Sequence, residues 1–197
     1  KNDERERWMR LEKGEYERMN REQKKIHDEI SAGPRGSVRG PLAVWMHRPG
    51  LADKAQSLGA YCRYNSSLEP ILSEFAICLI ARIWGAGYEW KVHSKIAIEA
   101  GVSKSIIDEI EVGAKPSNLT REQKVIYDFT MLLHKDKKVS DKIYQDSANV
   151  LGSDRLVDLV GLLGYYTIIS MTINVFGVQH TELSSPYMQD LENDIEI

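Results

Sequence analysis

The run Leu72–Trp84, LSEFAICLIARIW, is apolar on every side of a helix except at Ser73, Glu74 and Arg82. A helix with no polar face belongs inside a bundle, surrounded by other helices. Glu74 is therefore conspicuous, because a carboxylate in such surroundings is costly unless something satisfies it. The rest of the sequence reads the same way. No segment shows the period-two alternation of a strand, and stretches 41–47, 51–63, 69–84, 88–100, 103–112, 121–135, 140–150 and 154–176 read as helices punctuated by Gly, Pro or Ser. The predicted class is all-α.

Several helix ends are explicit. Asn20-Arg-Glu-Gln23 and Thr120-Arg-Glu-Gln123 are capping boxes, in which the cap side chain takes an orphan amide and the glutamine reaches back. They open an internal echo, Arg21-Glu-Gln-Lys-x-Ile-x-Asp28 and Arg121-Glu-Gln-Lys-x-Ile-x-Asp128, which fits either a duplicated half or two similar helix starts. Gly101 is placed as a left-handed stop, Ser103 as the next cap, and Gly85 and Gly87 as the break between two helices.

The 197 residues suit one domain. We divide them into a charged helical arm (1–33), a helical domain (34–180) and an acidic tail (181–197). The 26 basic and 29 acidic residues leave a net charge of −3, which argues against nucleic acid as a partner. The two cysteines, Cys62 and Cys78, make no disulfide framework. The charged start KNDERER predicts no secretory leader. The stretch from Leu156 to Phe176 is interrupted by Asp158 and several Gly, Thr, Ser and Asn residues, so it is expected to be a core helix and not a membrane span. The expected location is cytoplasmic.

The chemistry concentrates between Glu74 and His93. Glu89 and His93, four apart, share one helix face. Glu89 lies in the first turn after Gly87, where free amides and the helix dipole favour a carboxylate. A tight Gly85–Gly87 turn would fold Glu74 alongside, so that two carboxylates and an imidazole converge in an apolar layer suited to proton transfer. The plain alternative is a solvated surface pair, and a further one is a divalent metal held by the three groups. Residues 31–64 hold Arg35, Arg39, Arg48, Lys54 and Arg63 against Asp53 alone, a basic face able to grip a carboxylate.

Glu74, nineteen residues on His93, and then Ala97, Ala100 and Gly101 together resemble the carboxymuconolactone decarboxylase / alkylhydroperoxidase-D-like superfamily. Met46-His47-Arg48-Pro49-Gly-Leu-Ala52, Leu58-Gly-x-Tyr61, Tyr127-Asp-Phe129 and Gly161-Leu-Leu-Gly-Tyr165-Tyr166 extend the likeness over most of the chain. The resemblance implies a multi-helix bundle of that type, assembled as trimers or hexamers with the pocket near an interface. Its redox branch places a Cys-x-x-Cys pair before the histidine, and here those positions are Ala86 and Glu89. Thiol peroxidase activity is therefore not expected.

What remains resembles the non-redox branch. That implies a cofactor-free, metal-free lyase or isomerase acting on a small anionic substrate, an oxo-acid or lactone. His93 is the expected general acid or base, Glu89 its partner and Glu74 a relay. His47, Arg48, Tyr88, Trp90 and Tyr166 are the expected substrate contacts. The alternative is an oligomeric helical binding or scaffold protein that kept the fold without catalysis.

Overall fold

The computed structural model describes residues 10–12 and 14–178. Within them the chain is helical throughout, with no strand. A short 3-10 turn, Tyr16–Arg18, precedes α1 (Arg21–Ala32), α2 (Pro41–Trp45) and α3 (Pro49–Ala60). A π-helical turn, Tyr61–Asn65, extends α3. Then come α4 (Pro70–Ile83), α5 (Gly87–Glu99), α6 (Lys104–Glu111), α7 (Arg121–Asp136) and α8 (Asp141–Phe176).

α4 is the axis of the bundle. Every residue from Leu72 to Ile83 is buried, and α5, α6, α7 and α8 all pack on it. Pro70 at its first turn supplies a fixed φ where no amide partner is needed. The helix of the arm, α1, packs on α3 and buries Ile26 and Ile30 in the common core. The first nine residues and the acidic tail lie outside the described residues.

Both capping boxes form, at Asn20–Gln23 and Thr120–Gln123, so the echo marks the starts of α1 and α7. Gly101 has φ +106° after α5, as a left-handed stop requires. Ser103 occupies the N-cap position of α6, but its hydroxyl pairs with that of Ser105 at 2.8 Å and makes no capping bond. α8 is broken at Gly152 (φ 79°, ψ 167°), where the sequence leaves a gap between two helices. Of the most apolar window of α8, 56% is buried inside the fold, as expected of a core helix; by length and composition alone it would also pass for a membrane span.

Candidate active site

The α4–α5 hairpin builds the site. Gly85, at φ +61°, turns the chain sharply, and α5 runs back along α4 in the most extensive helix contact of the fold. Glu74, one turn into α4, then faces His93, one turn beyond Glu89 on α5. All three are buried: Glu74 is 4% exposed, Glu89 4% and His93 3%. His93 Nδ1 lies 2.6 Å from Glu74 Oε2, and His93 Nε2 lies 3.0 Å from Glu89 Oε2. The ring is held at both nitrogens by carboxylates from two helices.

That geometry favours the charged ring. Only the imidazolium donates from both nitrogens at once. Burial by itself would push the His93 pKa down, but the hydrogen bonds to Glu74 and Glu89, together with their charge, outweigh it and raise the pKa. The arrangement is unlike a chelate. The two carboxylates sit at opposite ring nitrogens, so the three groups do not converge on one point as metal donors must, and no metal-holding His/Cys/Asp/Glu cluster occurs among the described residues.

A cavity of about 190 Å³ opens above Glu89 and His93. Tyr88, Tyr64 and Tyr166 form parts of its wall, and Arg35, Arg39 and Arg63 supply positive charge. Tyr166 meets His93 edge-on at 5.2 Å between ring centres, and Tyr165 backs Tyr166 at 5.3 Å. Burial raises the Tyr166 hydroxyl pKa well above its ordinary value and the Tyr165 pKa to about 12, so both are neutral phenols. Tyr165 takes a hydrogen bond from Arg35 at 3.3 Å.

Arg63 comes from the π turn, where one extra residue per turn rotates the side chains out of α-helical register. Its Nε is 3.6 Å from Glu74 Oε1, and its guanidinium lies 5.3 Å from the Tyr64 ring centre. The Nε atoms of Arg35 and Arg63 are both buried and without a hydrogen-bond partner. Asp158 of α8 anchors this segment, accepting from Tyr61 Oη at 2.8 Å and from Ser67 through its amide at 2.7 Å and hydroxyl at 2.6 Å. With His93 protonated, four cationic groups face two carboxylates around the cavity, a surplus that suits an anion.

Of the residues singled out in the sequence, Glu74, Glu89, His93, Tyr88 and Tyr166 come together here. Three do not. His47 and Arg48 are exposed between α2 and α3, and His47 Nε2 contacts the carbonyl of Glu12 at 3.0 Å. Trp90 is about 100° around α5 from Glu89, and its Nε1 donates to Glu111 Oε1 at 3.3 Å, away from the cavity. The basic face supplies its arginines from 35, 39 and 63, while Arg48 and Lys54 stay outside. Tyr64 was not anticipated, since a tyrosine on a π turn leaves no periodic signal.

Two solved structures share this fold. One is described as an alkylhydroperoxidase AhpD core, an uncharacterized peroxidase-related protein from Ralstonia eutropha. It aligns with a TM-score of 0.70 over 92% of this chain and 95% of its own, at 11% identity. The other is an uncharacterized peroxidase-related protein from a Silicibacter species, with a TM-score of 0.70, 91% and 95% coverage and 11% identity. No family model and no curated protein matches the sequence. Likeness at this identity establishes the fold, an AhpD-core helical bundle, and leaves chemistry to the site.

Proposed function

We propose that this chain is a cofactor-free acid–base enzyme, a decarboxylase-like lyase or an isomerase, acting on a small anionic carbonyl compound such as an oxo-acid or lactone. The observation that carries the reading is the buried Glu74–His93–Glu89 relay opening into a cavity rimmed by Arg35, Arg39 and Arg63. The arginines hold the substrate's carboxylate. Both nitrogens of His93 are engaged, so Glu89, which lines the cavity, is the group that exchanges a proton with substrate. His93 resupplies Glu89 through Nε2, and Glu74 compensates the charge at Nδ1. This reverses the roles that the resemblance implies for His93 and Glu89.

Thiol chemistry has no support in this site. Cys62 and Cys78 are buried, and burial raises both thiol pKa values, Cys78 well above its ordinary value, so neither supplies a thiolate. The fold's association with peroxidase-related proteins therefore does not extend to a peroxidatic cysteine here.

The test is a panel of small lactones and 2-oxo acids, followed by proton NMR for conversion and for exchange of the hydrogen beside the carbonyl in deuterated water. Wild type is expected to convert or exchange at least one member. Glu89→Gln should abolish turnover while retaining binding. If no member is converted and none raises the melting temperature, the enzyme reading fails; binding without turnover supports the scaffold or binding-protein alternative. Self-association is also proposed.

A further inference from the structure

α8 turns a long apolar face to solvent. Val157 is 70% exposed, Val160 49%, Ile168 46%, Met171 46% and Val175 53%. Val157, Gly161, Gly164, Ile168, Met171 and Val175 follow one another in steps of four, three, four, three and four residues, the spacing of a helix–helix seam. The exposed positions of α8 from Val157 to Val175 include no charged residue. Asp158, beside them, is only partly exposed and is engaged by Tyr61 and Ser67.

The two glycines have no internal explanation. Both are helical, and a Cβ at either would meet nothing within 4 Å in the chain itself. Glycine is a weaker helix former than alanine, so nothing within one subunit favours it there.

We propose that this face is the seam of an antiparallel homodimer, α8 of one chain lying along α8 of a second copy. A two-fold axis midway between Gly164 and Ile168 sets Val157 opposite the partner's Val175, Gly161 opposite the partner's Met171 and Gly164 opposite the partner's Ile168. Each glycine receives the large side chain that crosses it, which is how seams interdigitate. A parallel pair would stack glycine on glycine and isoleucine on isoleucine.

Charge points the same way. Asp154 continues the stripe one turn before Val157 and is exposed. At the far end Arg10 is tied to α8, its amide donating to the Phe176 carbonyl at 2.9 Å and its guanidinium to the Val175 carbonyl at 3.1 Å. The antiparallel arrangement brings Asp154 of each chain to the partner's Arg10; a parallel one sets Asp154 against itself.

Cysteine cross-linking and sedimentation of the full chain test this. Cys62 and Cys78 are buried and do not compete. A mixture of Val157→Cys and Val175→Cys chains is expected to oxidise to a cross-linked pair, whereas Val157→Cys alone is not. Ile168→Glu should weaken association at least ~10-fold with the circular dichroism spectrum unchanged. Gly161→Ala should weaken association too, yet raise the melting temperature of the dissociated chain; a purely structural role for the glycine predicts the reverse. A wild type that sediments as a monomer overturns the proposal, whether the face then binds phosphatidylglycerol vesicles or is covered by the chain beyond residue 178. Self-cross-linking of Val157→Cys overturns it as well.

Discussion

Glu74 and Glu89, fifteen residues apart on two helices, accept from opposite nitrogens of one imidazole, at 2.6 and 3.0 Å. Both carboxylates are buried, and the ring lies between them. The three side chains act as one electrostatic unit, and removing any member strands the rest.

Glu74→Gln tests that unit. The substitution keeps the shape and an acceptor but leaves His93 with half its countercharge and Arg63 without its ion-pair partner. A loss of about 3 kcal/mol in urea denaturation is expected. A double-mutant cycle with His93→Gln should return a coupling above ~1 kcal/mol, and additivity of the two changes would contradict the arrangement.

The pH dependence follows from the raised pKa of His93. Burial opposes the charged ring, and Glu74 and Glu89 more than compensate. A group whose folded pKa exceeds its unfolded value stabilises fully below the latter, here the ordinary 6.5 of histidine, and that contribution disappears as pH rises through the folded value. Wild type should therefore lose stability on the alkaline side of 6.5 by an amount that His93→Gln abolishes. Titration of the His93 ring protons below 6.5 would contradict this.

Cys62 and Cys78 should be inert in the native state. An aromatic disulfide reagent is expected to label neither thiol until denaturant is added, and Cys62→Ser/Cys78→Ser should match wild type in any peroxide consumption. Rapid native labelling, or peroxide turnover lost in the double variant, would restore thiol chemistry to consideration.

Gly59 controls the approach of α3 to the tyrosine stack. A Cβ there would collide with the Tyr165 hydroxyl and the Arg35 guanidinium. Gly59→Ala should cost about 2 kcal/mol by overpacking and disturb the chain of contacts from Tyr165 through Tyr166 to His93. Shifted His93 ring resonances in NMR would report the second effect. Unchanged stability and resonances would mean the stack tolerates displacement.

The parts of the site visible in the sequence are those fixed by local geometry. Four-residue spacing on α5 aligns Glu89 with His93, a glycine turn returns α5 onto α4, and an apolar helix needs a partner for Glu74. The parts that escaped depend on non-local placement. The sequence offers five basic residues as one face without telling which reach the cavity: Arg35 and Arg39 arrive on the loop before α2, and Arg63 is aimed by a π turn, which no hydrophobic period announces. His47 and Arg48 looked attractive because they precede a helix start, but the α2–α3 corner turns them outward. Ser103 stands in a capping position and spends its hydroxyl on Ser105.

The π turn at Tyr61–Asn65 makes the anion grip a matter of chain length as much as of residue identity. Deleting one residue there would restore α-helical register, swing the guanidinium of Arg63 away from Glu74 and strain the bonds that tether Tyr61 and Ser67 to Asp158. A change of length in this turn would thus remove a positive wall from the cavity without touching Glu89 or His93 on α5.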